Sequence, residues 1–143
     1  MGRIVYTAIV LDNPDILKKM FPSEFPDKYY HHVTLRFRPV SKPSFNGRKT
    51  SVRIVSLHKD HLGYAAKVEI DDRDVAKYCE NKYPHITFAT ESNVKPVYSN
   101  ILIKNSEAEL LKDSIVLNGT VGSFIDGHWD FSKWIYVHLL LAH

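Results

Sequence analysis

Tyr30-His31-His32-Val33-Thr34-Leu35 and Tyr83-Pro84-His85-Ile86-Thr87-Phe88 share one pattern: an aromatic, any residue, histidine, an aliphatic residue, threonine and a second apolar residue. One His-x-Thr triplet means little, since a chain with 8 histidines in 143 residues gives about a third of one by chance. Two copies that also agree at the flanking places form a repeat. Alternation gives the repeat physical meaning, because residues two apart in a strand share a face. Val33, Leu35 and Phe37 then face a core from the first copy, as Ile86 and Phe88 do from the second. Tyr30, His32, Thr34, Arg36 and Arg38 take the opposite face, as do Tyr83, His85 and Thr87. Each copy thereby presents polar groups in a row from a rigid element, which is what a catalytic constellation requires.

Outward from the repeat, the chain reads as strands joined by turn chemistry. Residues 4–11 are a continuous β-branched and aromatic run, the signature of a strand buried on both faces. Asp12-Asn13-Pro14 supplies a cap and a proline for a short helix over 15–21. Residues 28–38 alternate as a strand, and 41–47 form a loop that ends in the turn dipeptide Asn46-Gly47. Residues 50–57 and 62–70 make a hairpin around His58-Lys59-Asp60-His61, and 71–80 a helix with an acidic first turn. The stretch 95–111 holds one or two helices, with Ser106 and Glu109 spaced as a capping box. Residues 115–125 and 134–141 are strand-like, with an Asp126-Gly127 turn between them. Recurrent hairpin signals with few helices predict an α+β fold, and no Pro- or Ser-rich linker divides residues 1–143, so one domain is expected.

Composition narrows the function classes. Hydrophobic residues at 44% and charged residues at 24% describe a globular chain. A net charge of +3 suits a phosphate-bearing partner but falls far short of a protein that coats nucleic acid. The single Cys79 leaves no intrachain disulfide and fits a reducing, cytoplasmic location. Neither a secretory signal nor an apolar run of membrane-spanning length is expected.

The paired His-Val-Thr-Leu and His-Ile-Thr-Phe stretches resemble the two signature motifs of the 2H phosphoesterase superfamily. Its members include RNA cyclic phosphodiesterases, tRNA-ligase phosphodiesterase domains, 2′-5′ oligoadenylate phosphodiesterases and phage enzymes that destroy the cyclic nucleotides of CBASS immunity. The resemblance implies two pseudo-symmetric lobes of antiparallel sheet with flanking helices, one motif on each lobe, around a central cleft. The compact length, the opening Tyr6-Thr7-Ala8-Ile9-Val10-Leu11-Asp12 and the doubled His31-His32 are most similar to the phage anti-CBASS branch, which would place a viral protein in the host cytoplasm.

The chemistry follows from the side chains. In-line cleavage of a phosphodiester needs one group to accept a proton and another to donate one, and an imidazole with an ordinary pKa of about 6.5 serves either role. His32 and His85 are the catalytic candidates, with Thr34 and Thr87 as donors to the non-bridging oxygens. No metal or other cofactor is required. Substrate binding is assigned to Tyr6, Tyr98 and Trp129 for stacking, with Phe124 and Trp134 as further aromatics, and to Arg36 for phosphate. The segment 95–104 is a candidate substrate-facing wall. His31 points away from His32, His58 and His61 are solvated turn residues, and His128, His138 and His143 belong to no motif.

The leading expectation is a metal-independent hydrolase of cyclic di- or trinucleotide messengers, an anti-CBASS activity. The enzymatic alternative is an RNA 2′,3′-cyclic phosphodiesterase or a 2′-5′ oligoadenylate phosphodiesterase. A third possibility is a non-catalytic nucleotide- or RNA-binding module. The partner in each case is a cyclic oligonucleotide or short RNA, with no membrane involved.

Overall fold

A computed structural model describes residues 2–133. The apolar run at the start forms strand β1 (Ile4–Leu11), and Pro14 opens helix α1 (Pro14–Met20), whose Leu17 is buried. The helix stops at Phe21, where φ turns to −129°. The ring of Phe21 then stacks on Phe88, with centroids 5.3 Å apart.

The alternating segment expected as one strand is two: β2 (Asp27–Lys28) and β3 (His32–Phe37). Between them Tyr30 adopts a left-handed φ of 62°, which breaks the alternation. Its side chain goes into the core, stacked on Phe88 at 4.9 Å, and its hydroxyl donates to the Phe21 carbonyl at 2.6 Å. Tyr30 therefore does not share a face with His32, contrary to the strand reading.

Strands β4 (Lys49–Lys59) and β5 (Gly63–Ile70) form the expected hairpin. The Asp60 carboxylate shapes its turn by accepting from the amides of Leu62 and Gly63. His58 is no solvated turn residue. It lies on β4, buried, with one ring nitrogen 2.8 Å from Ser56 Oγ and the other 2.9 Å from Ser106 Oγ. Asp72 caps helix α2 (Arg73–Tyr78) through the amides of Asp74 and Val75. Strand β6 (His85–Thr90) follows, then helix α3 (Tyr98–Asn105).

No capping box forms at Ser106 and Glu109. Ser106 ends α3, its amide bonded to the Leu102 carbonyl, and Glu109 begins the long strand β7 (Glu109–Ile125). The start of β7 is tied to β4 at Glu109 and Leu110, and after a register shift the ladder resumes at Ile115; local sequence does not reveal this partner. After the Asp126-Gly127 turn, with φ of 50° and 82°, comes the short strand β8 (His128–Asp130). The strand expected over 134–141 lies outside the described residues.

All strands of the described residues belong to one antiparallel sheet in the order β1-β3-β6-β5-β4-β7, and β7 returns to pair with β1. The ring closes as a six-stranded barrel, with β2 on β6 and β8 on β7. Each of its strands contributes to one apolar cluster: Ile9, Val33, Val52, Val68, Ile86 and Val121 are all essentially inaccessible to solvent. The antiparallel, strand-rich part of the expectation stands. The motif strands are neighbours in that closed sheet, joined where Val33 pairs with Ile86.

Candidate active site

The Val33–Ile86 pair fixes the site. Both residues face the core with Leu35 and Phe88. In antiparallel order, that pairing sets His32 across from Thr87 and Thr34 across from His85, on the other face. All four line one cavity of about 490 Å³. Tyr6, Tyr29, Phe37, Asn81, Lys95, Pro96, Val97 and Asn100 complete its walls.

His85 is buried, and its Nδ1 lies 2.6 Å from the Tyr83 carbonyl. A carbonyl only accepts, so the imidazole hydrogen sits on Nδ1 and the neutral ring keeps a lone pair on Nε2. Burial lowers the His85 pKa, opposed in part by that carbonyl. His32 is pushed down to about 3 by burial first, then by His31 and His85. Both rings are therefore neutral near pH 7. His31 does not point away from its neighbour: the two rings stack with centroids 4.6 Å apart, and their Nδ1 atoms are in hydrogen-bond contact.

The threonines differ. Thr34 makes no side-chain hydrogen bond among the described residues and is open to the cavity. Thr87 is buried, its Oγ1 2.8 Å from Ser99 Oγ and 3.3 Å from the Pro96 carbonyl. Through those bonds it holds α3, and the loop that carries Lys95, against the site.

The expected binding residues divide. Tyr6 lines the cavity, 5.2 Å from the His32 ring and stacked on Phe124 at 5.4 Å. Trp129 stands behind it, edge-on to Tyr6 at 5.4 Å and 6.0 Å from His32, so it supports the wall without lining it. Tyr98 is a correction: its hydroxyl donates to Asp60 at 2.5 Å, away from the cavity that Pro96, Val97 and Asn100 of the same segment line. Arg36 is another. Its Nε donates to the Tyr78 carbonyl at 2.7 Å, and its guanidinium lies over the Tyr78 ring and beside Glu80.

The cause is a bulge. Thr7 pairs with Arg36 and Ala8 with Thr34, so Leu35 is an extra residue in β3. Alternation shifts beyond it, turning Arg36 aside and bringing Phe37, expected in the core, to the cavity with 65% of its surface exposed. Phe37, Tyr29 and Asn81 are the cavity residues that sequence reading missed. Each lies within two positions of one of the motifs, and that proximity was their only signal.

A family model described as the fungal tRNA ligase phosphodiesterase domain matches residues 9–122. That span runs from β1 into β7 and contains both histidine motifs. The chain belongs to the fungal tRNA ligase phosphodiesterase domain family. Through that family it is a 2H phosphoesterase, and the cavity shared by His32 and His85 is the candidate active site of a phosphodiesterase. A search of curated proteins finds no match.

Proposed function

We propose that this tRNA ligase-type phosphodiesterase domain opens 2′,3′-cyclic phosphates at RNA ends, using His32 and His85 as the proton-transfer pair without a metal ion. The observation that carries the reading is the pair of neutral imidazoles, from adjacent strands, in one cavity. The family match supports an RNA-type substrate over the cyclic di- or trinucleotides of the anti-CBASS resemblance.

Water attacks phosphorus in line with the ribose oxygen that leaves. One imidazole takes a proton from the water and the other supplies one to the departing oxygen. Thr34 Oγ1 is the open donor toward a non-bridging oxygen, where charge builds in the transition state. Thr87 reaches one only by giving up its bond to Pro96. Lys95 adds positive charge at the wall. Phe37 and Tyr6 offer π faces for the terminal base, and stacking of this kind contributes about 1–3 kcal/mol per base.

The test is a substrate panel in the presence of EDTA: oligoribonucleotides with a 2′,3′-cyclic phosphate end, 2′-5′ oligoadenylates and cyclic dinucleotides. The expected result is opening of the cyclic end to a monoester. His32→Ala and His85→Ala should each lower kcat by about 10²–10⁴ while circular dichroism and melting remain those of a folded chain. Cleavage of cyclic dinucleotides with no action on cyclic ends returns the anti-CBASS reading. Binding without turnover makes the domain a recognition module, and loss of all activity with EDTA ends the metal-free mechanism.

A further inference from the structure

The unusual feature of the site is the partner of His32. His85 rests its Nδ1 on a backbone carbonyl, whereas the Nδ1 of His32 meets another imidazole nitrogen, that of His31. We propose that His31 is a positioning residue that fixes His32 with its hydrogen on Nε2 and passes it a proton at Nδ1 when His32 protonates the leaving group. This rests on the phosphodiesterase reading above, and it assigns the two roles that the repeat leaves symmetric: His85 is the base and His32 the acid.

The tautomers follow by exclusion. An acid–base pair needs one ring with a bare nitrogen toward the substrate and one with a hydrogen there. The carbonyl of Tyr83 gives His85 the bare Nε2. His32 must then carry its hydrogen on Nε2 and accept at Nδ1. The group in place to donate is His31 Nδ1–H, in a ring held parallel to within 20°.

The backbone of His31 is anchored, since its carbonyl accepts from the Leu11 amide at 2.9 Å, while its side chain is open to solvent. Around the pair stand Lys18 and the edge of Tyr29 beside His31, and Tyr6, Trp129 and His85 beside His32. Among the described residues, no carboxylate is one of these neighbours to hold an imidazolium. A neutral His32 that simply gave up its Nε2 hydrogen would be left as imidazolate, so the proton lost at one nitrogen has to be replaced at the other.

The step balances as follows. The water oxygen bonds to phosphorus as the phosphorus–ribose oxygen bond breaks. The water proton goes to His85 Nε2, and the leaving oxygen takes the hydrogen of His32 Nε2. His32 Nδ1 receives the hydrogen of His31 Nδ1, and His31 draws a proton from solvent at Nε2. After product departs, His85 releases its proton, and protonation of His32 Nε2 from cavity water drives the reverse transfer.

Two measurements test this. The first compares wild type, His31→Ala and His31→Phe on a 2′,3′-cyclic ribonucleotide and on a p-nitrophenyl phosphodiester, whose leaving group departs without a proton. The expected result is a loss in kcat of about 10²-fold on the cyclic ester, a much smaller loss on the nitrophenyl ester, and recovery of His31→Ala, but not His31→Phe, by added imidazole. Equal losses on both esters, or no loss on the cyclic one, overturn the relay. The second, independent of turnover, is imidazole nitrogen NMR of the wild-type protein. A bare Nδ1 and protonated Nε2 on His32 are expected, and the opposite tautomer overturns the assignment. If wild type turns over neither ester while the NMR pattern is as expected, the phosphodiesterase reading itself fails and the relay falls with it.

Discussion

At the scale of single residues, burial sets the chemistry of the two histidines. A buried imidazole resists protonation because the charged ring loses more hydration than the neutral one. His32 in the folded chain therefore titrates at about 3, against about 6.5 in the unfolded chain. Between those values the unfolded state binds more protons, so His32 makes stability fall as pH drops from about 6.5 toward 3, and has no such effect above that window. His32→Gln should lose this part of the acid sensitivity. The variant should gain on wild type in melting temperature as pH is lowered from 7 to 4, and a constant difference across that range contradicts the assignment. Catalysis should show the same displacement. Both active-site pKa values lie below the ordinary one, so the acid limb of kcat/KM belongs below pH 6.5, and a limb centred at or above it would show that the free rings are not so buried.

At the scale of elements, the site depends on how β8 and its continuation are strapped to the barrel. Asn46, in the loop before β4, has no exposed surface. Its amide donates to the carbonyls of Asp130 at 3.0 Å and Ser132 at 2.6 Å, and its side-chain oxygen accepts from Ser123 Oγ at 2.9 Å. Lys42 adds an ion pair to Asp130 at 2.9 Å. This strap carries Trp129, which packs on Tyr6 and His32. Asn46→Ala leaves buried polar groups without partners, each costing about 1–3 kcal/mol. The expected result is a clear drop in melting temperature with a rise in KM larger than the fall in kcat, because Trp129 supports the binding wall and takes no part in the proton transfers. The Asn46-Gly47 dipeptide was readable as a turn, and Gly47 does adopt a left-handed φ of 89°. The burial of Asn46 was not readable, since its partners lie 77 to 86 positions along the chain.

At the scale of the whole molecule, the barrel closes because β7 belongs to two ladders. Gly119 and Thr120 are shared by both: Gly119 pairs with Thr50 of β4 and with Leu11 of β1, and Thr120 with Lys49 and Val10. A Cβ on Gly119 would lie 2.6 Å from Ile9 Cγ2 and 2.8 Å from the Val10 carbonyl oxygen. Only glycine allows the strands to approach this closely, so Gly119→Val must push β1 off β7. Overpacking of this kind costs about 1–3 kcal/mol, and a urea midpoint unchanged by the substitution would show that closure does not depend on this contact. Because β1 also carries Tyr6 and pairs with β3, loosening the closure should weaken the site as well as the fold.

The sequence by itself determined the strand-rich class, the hairpin, most turns, and the two histidine–threonine pairs with their apolar neighbours Val33, Leu35, Ile86 and Phe88. These are local properties, written in a period of two and in the turn chemistry of Asp, Asn, Gly and Pro. Tertiary structure alone decided that β3 and β6 are adjacent, that Tyr30 turns inward, and that the bulge at Leu35 removes Arg36 from the site and brings in Phe37. It also decided that His31 leans on His32. Each of these depends on what a distant strand offers as a partner. Closing a ring of six strands fixes those partners together, so no short window of sequence contains them.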